Sequence, residues 1–160
     1  MNTDLTFHAL LDLLTELSFG PADDASWILN PGDLGLSQTL KNLPAAVASQ
    51  QPTPGQNSIA SHTHHLVYGL SLLNRWAGGE ENPFADADWN ASWQKQTVNE
   101  DEWKSLVAEL EKESQNWIAA VQEPREWDRI ALTGAIGSAV HLAYHFGAIR
   151  QLIVFVENRV

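Results

Sequence analysis

Apolar residues recur along this chain at intervals of three and four, the spacing of one helix face, and no window alternates as a strand does. Leu5, Leu10, Leu13, Leu14 and Leu17 form such a stripe from about Asn2 to Ser18, and Gly20-Pro21 stops it. Residues 23–33 read as a loop with a turn at Pro31-Gly32; Leu36, Leu40 and Leu43 then mark a shorter helical piece within 34–47. Pro52, Pro54 and Gly55 make a linker that cannot be helical. A second long stripe (Ile59, His62, Leu66, Leu70, Leu73, Ala77) starts behind Asn57 or Ser58 as N-cap and ends at Gly78-Gly79. Asn99 with Glu102 has the pattern of a capping box, and from there Trp103, Leu106, Val107, Leu110, Trp117 and Val121 line a third long helix that Pro124 closes. Its other face carries Glu109, Glu111, Lys112 and Glu113, a solvated surface.

The last helix is expected over 133–157. It opens on Gly134, Ala135, Gly137, Ser138 and Ala139; each glycine costs roughly 1 kcal/mol against alanine, so a close helix–helix approach is expected to offset it. The polar, aromatic stretch 82–96, with Pro83, Phe84, Trp89 and Trp93, is expected to fold back onto the helices. The pattern predicts an all-α protein: a four-helix bundle with an N-terminal helical elaboration and a long aromatic loop between the second and third bundle helices, as one domain over 1–160.

Charge narrows the partners. The formal net charge of −11 repels phosphate backbones and anionic head groups, which argues against nucleic acid and a membrane surface. No apolar run reaches the ~18 residues of a membrane span, and the acidic MNTDLTFHALLDLL start lacks a signal peptide's cationic flank. There is no cysteine, so thiolate nucleophiles, disulfides and cysteine-based zinc sites are excluded. The expectation is a soluble, cytoplasmic protein. The small-residue start of the last helix and exposed tryptophans suit packing on a second copy, so a homodimer is expected.

Chemistry concentrates in the histidines. His141 and His145 stand four apart in HLAYHFGAIRQ, hence one turn apart on one helix face, which lets two imidazoles address one ion. They also share that face with Ala148 and Leu152, so two hydrogen-bonded core histidines are the plainer reading. SHTHHL supplies His62, His64 and His65. By helical angle His62 lies in the apolar stripe with His65 at its edge, while His64 points towards solvent; periodicity favours His62 as a third inward donor. His8 is isolated. No inward Glu-x-x-His pairs of a di-iron site, no haem motif, no Gly-x-Ser-x-Gly elbow and no paired-carboxylate site are visible.

SIASHTHHLVYGLSLLNRW followed by HLAYHFGAIRQ resembles the DinB-like (YfiT-like) superfamily of metal-binding four-helix bundles, over roughly the C-terminal two thirds of the chain. The first ~50 residues match more loosely, with a break at Gly20 to Gly32 where the family has one continuous helix. The resemblance places His65, His141 and His145 on the family's three ligand positions, ahead of the angular preference for His62, which becomes an outer-shell or substitute donor. Gly147, Arg150 and Gln151 suit the family's tail after the histidine pair.

Three neutral imidazoles with open positions describe a reactive rather than a closed structural site, and zinc, nickel and iron all accept such a donor set. An ion there would lower the pKa of bound water towards ~7 and favour anionic ligands. The superfamily includes enzymes that use low-molecular-weight thiols, which implies a metal-dependent thiol S-transferase acting on a small molecule. The alternative is a non-catalytic metal- or ligand-binding stress-response protein. Trp76, Tyr144 and Arg150 are candidate pocket residues; core packing for the two aromatics and an ion pair for Arg150 are the competing roles.

Overall fold

The computed structural model describes residues 3–22 and 26–157. The expected helix start at Asn2, and Asp23, Asp24 and Ala25 of the expected first loop, lie outside the described residues. Among the described residues the elements are α1 (Thr3–Phe19), α2 (Leu36–Lys41), α3 (Ala45–Ala48), α4 (Ile59–Ala77), a 3-10 turn at Ala91–Trp93, α5 (Glu100–Gln122) and α6 (Arg129–Glu157), with no strand. The long helices α1, α4, α5 and α6 form the bundle. The expected 34–47 piece is two short helices split at Pro44, which pack on α5.

Local chemistry sets the boundaries. α1 ends where Gly20 turns to φ +105°, and Gly35 follows so closely that an added Cβ would sit 2.2 Å from the Gly20 backbone nitrogen. That contact folds α2 back against α1. Between them, buried Glu16 accepts the backbone N–H groups of Trp27, Ile28 and Leu29 at 2.7–3.0 Å. Burial alone would raise its pKa; the three backbone donors outweigh it and hold the carboxyl below the usual range. Ser58 caps α4 by accepting from the Ser61 N–H at 3.2 Å. Asn99 and Glu102 form the expected capping box on α5.

The core is the one the stripes describe: Leu10, Leu14 and Leu17 of α1, Leu66 and Leu70 of α4, Trp103, Leu106, Leu110 and Trp117 of α5, and Leu142, Phe146 and Ile149 of α6 are all buried. Leu5 lies in solvent, and Leu13, Leu43, Leu73 and Ala77 are half-buried. α6 begins a turn earlier than expected, because the Asp128 carboxylate accepts from the Ala131 N–H at 2.7 Å and caps it.

Two expectations about α6 are corrected. Gly134 and Gly137 make no close approach: a Cβ on either would meet no atom within 4 Å. By length and composition α6 is apolar enough to cross a membrane. Glycines, Ser138, Thr133 and the histidines break up its apolar run, yet no Asp, Glu, Lys or Arg falls between Ile130 and Ile149. Here it serves as a core helix, packed on α1 and α4, with Ile136, Val140, Tyr144 and Val154 exposed on its outer side.

The aromatic loop does fold back. Ser58 donates to the Gln96 carbonyl at 2.7 Å, Ser61 donates to the Trp93 carbonyl at 2.8 Å, and the Asp88 N–H donates to Tyr68 Oη at 2.8 Å. Residues 88–96 are thereby tied to the face of α4 that carries the histidines.

Candidate metal centre

α4 and α6 each turn histidines towards the other. His65 and His145 are buried, with 6% and 3% of their surface exposed, and His141 is half-buried beside them. The Nε2 atom of His141 lies 3.1 Å from Nε2 of His65 and 3.0 Å from Nε2 of His145. One ring nitrogen from each of the three residues falls within 4.8 Å of the others. Helical pitch brings His141 and His145 together, and α4 packing on α6 delivers His65.

The hydrogen-bond partners fix where the protons are. Ser92 Oγ donates to the Trp89 carbonyl at 2.7 Å, so its proton is committed. It therefore accepts from His65, whose Nδ1 lies 2.7 Å away. Nδ1 of His65 carries the proton, and its Nε2 presents a lone pair to the cluster. Trp93 stacks on the same imidazole, centroids 4.0 Å apart at 17°, and holds its plane.

On the other side, Nδ1 of His145 lies 2.9 Å from Nδ1 of His62. Either ring can donate in that pair; a cation on Nε2 of His145 would place the His145 proton on Nδ1 and make His62 the acceptor. His62 touches His145 rather than the centre, as an outer partner of a ligand does. His64 is not directed to solvent as its helical angle suggested. Its Nδ1–H donates to the Ser92 carbonyl at 2.7 Å and helps pin the loop.

Without an ion this arrangement is poorly satisfied. A single N–H on Nε2 of His141 cannot donate well to both neighbours, and the His65 nitrogen is fixed as an acceptor. A divalent cation held by these three residues would satisfy all three lone pairs at once, and the separations of 3.0 and 3.1 Å about His141 suit imidazoles that share one ion. The donor set fits a metal ion. Burial lowers the pKa of all four neighbouring histidines. His65 is pushed to about 4 and His145 to about 3, by burial first and then by the other imidazoles. At neutral pH the rings are uncharged and ready to coordinate.

Two hollows flank the cluster. His62 lines a broad groove of about 1170 Å³ together with Pro52, Gln56, Gln151, Leu152 and Phe155. His141 lines an apolar cavity of about 220 Å³ on the opposite side. Of the other expected pocket residues, Tyr144 is 71% exposed and sets its ring edge-on to His145 at 4.9 Å. Arg150 pairs with Asp33 at 3.1 Å and covers Phe146. Trp76 is not at the histidines; it packs among Trp117, Trp127 and the Arg125 guanidinium in a separate hollow. The sequence did not single out Ser92. Its only trace there is a small hydroxyl residue between two tryptophans, and nothing in its spacing ties it to SHTHHL.

No curated protein and no solved structure matches the chain. The DinB superfamily model matches residues 35–148, well over half of the sequence and all three converging histidines, and the chain belongs to the DinB superfamily.

Proposed function

We propose that the protein binds one divalent cation, zinc, nickel or iron, through Nε2 of His65, His141 and His145, and uses it to transfer a low-molecular-weight thiol to a small electrophile. The observation that carries the reading is the convergence of three imidazoles, with Ser92 fixing the proton of His65 from behind and His62 paired with the far nitrogen of His145. When bound, the ion supplies Lewis acidity that favours a thiolate at neutral pH. The chain offers no cysteine, so the thiol comes from outside. In the transfer a sulfur–carbon bond forms, the bond to the leaving group breaks with its electron pair, and the thiol proton passes to solvent. Elemental analysis of the protein beside His65→Ala and His141→Ala tests the centre, and a thiol-conjugation assay with metal restored tests the reaction. Equal metal content in all three proteins would overturn the first; equal conjugation rates in wild type and His141→Ala would overturn the second.

One observation favours a second reading, a non-catalytic metal-binding protein in a stress response. The three histidines come from α4 and α6, and the loop is tied behind them, so an ion would staple three segments. In that case adding metal raises the melting temperature strongly and no thiol is consumed.

A further inference from the structure

The apolar cavity beside His141 does not end there. It is bounded by Leu66, Gly69, Trp89, Gly137, Leu142 and His141, with a volume of about 220 Å³. A second hollow of about 280 Å³ lies against Trp76, Trp117, Ile130 and Ala131. Leu73, Phe84 and Gly134 line both, so the two hollows adjoin between α4, α6 and the aromatic loop and together are termed the groove. Along α6 the two hollows together extend from His141 back to Ile130, roughly 16 Å at 1.5 Å per residue.

Its walls explain the glycines that the fold left unaccounted for. Gly134 and Gly137 weaken the helix, yet no helix approaches them; a Cβ on either meets nothing within 4 Å. What they leave is space on the groove side of α6. Gly69 does the same across the groove, where a Cβ would already stand 3.6 Å from His141 and 3.9 Å from Trp89. The Ser138 hydroxyl is spent, since it donates to the Ala135 carbonyl and accepts from Trp117. His141 is thus the polar group at the near end, while exposed Glu81 and Asp128 stand at the far end and disfavour an anion there. A cavity of about 150 Å³ lined by aliphatic and aromatic side chains is enough to hold benzene.

We propose that this groove holds the apolar arm, an aryl or short alkyl substituent, of a small substrate whose reacting head lies at His65, His141 and His145. The position of the head rests on the metal-centre reading; the groove does not. Phenylmethanethiol and 2-mercaptoethanol share a thiol head and differ in the arm, and toluene has an arm and no head. Calorimetry on the zinc-loaded protein should show phenylmethanethiol bound at least about tenfold more tightly than 2-mercaptoethanol. Gly137→Leu should cut that preference to within about twofold while zinc content and 2-mercaptoethanol affinity stay the same. Leucine is a better helix former than glycine and meets no neighbour at 137, so the variant should fold; Gly134→Leu repeats the test from the second position. Toluene should raise the melting temperature of the metal-free wild type and not that of Gly137→Leu. Equal affinities for the two thiols in wild type, or a preference untouched in both variants, would overturn the groove. Failure of both thiols to bind the zinc-loaded protein, with toluene still stabilising wild type alone, would sustain the groove and overturn the placement of a thiol head at the histidines.

Discussion

Acidifying the metal-free protein should destabilise it well before its carboxylates titrate. In the fold, His65 is held at about 4 and His145 at about 3. In the unfolded chain both return to about 6.5. Because the folded values are the lower ones, the unfolded state takes up protons first as pH falls. Stability is therefore complete above about pH 6.5 and is lost through the window from there down to the folded values. Each such group contributes at most about 1.9 kcal/mol between pH 7 and pH 5, from a slope of 1.36 kcal/mol per unit. Solvent reaching the cluster from the groove beside His62 reduces this to about 1–2 kcal/mol each, or about 2–4 kcal/mol for the pair. His62 and His141 act with the same sign, since burial lowers them as well.

A loss of that size is a large part of a typical stability of 5–15 kcal/mol and corresponds to a fall of about 5–15 °C in Tm. The assay is thermal melting after chelation, at pH 7 and at pH 5, on wild type and on a His65→Gln, His145→Gln double variant. Wild type should lose stability between the two and the double variant should lose much less. Glu16 does not interfere, because its carboxyl is held below its usual range and titrates under this window. Zinc added at pH 7 should raise the melt, and acid should reverse that gain as protons compete for the same lone pairs. A wild-type melt that moves by less than about 2 °C between pH 7 and pH 5 would refute the reasoning, because buried neutral imidazoles cannot leave stability independent of pH across their own titration range.

Ser92→Ala removes the acceptor that fixes the proton on His65, so zinc affinity measured by chelator competition should fall about 10–100-fold; an unchanged affinity would mean that the ring is oriented by Trp93 alone. Glu16→Gln replaces a carboxylate that accepts three backbone donors with a group that has one acceptor oxygen and should cost about 2–3 kcal/mol in urea denaturation at pH 7, with the difference shrinking as pH falls through the lowered carboxyl pKa. Gly35→Ala drives a Cβ to 2.2 Å from a backbone nitrogen that cannot move away without dislodging α1 from α2, so it should destabilise by more than about 2 kcal/mol in the same assay. Arg150→Ala removes an exposed pair with Asp33 and the guanidinium's cover of Phe146, and should change stability by about 1 kcal/mol or less and leave zinc content as it was.

The fold was legible wherever a local rule acts alone. Ser58 and the Asn99–Glu102 box end helices through side chains two or three residues away, and both boundaries can be read from the letters. The start of α6 was placed late because its cap, Asp128, precedes the first apolar-periodic residue and looks like loop. The glycines of α6 were misread for a different reason. A small residue permits close approach and open space equally, and only the position of the neighbouring element decides which.

The centre shows the same division more sharply. His62 and His65 are three apart, hence about 60° apart around α4, so spacing turns both towards the inward face and ranks His62 ahead of His65 by angle alone. The structure separates them by partner rather than by angle. His65 meets a committed hydroxyl on its far nitrogen, which turns its free lone pair to the centre; His62 meets the far nitrogen of His145 and stands behind it. The hydroxyl belongs to Ser92, 27 positions away on a loop with no periodicity to read. The candidate ligand set is thus a joint property of two helices and the loop strapped across them. Cutting that strap at Ser92 is expected to weaken metal binding while every histidine stays in its place on the helical wheel.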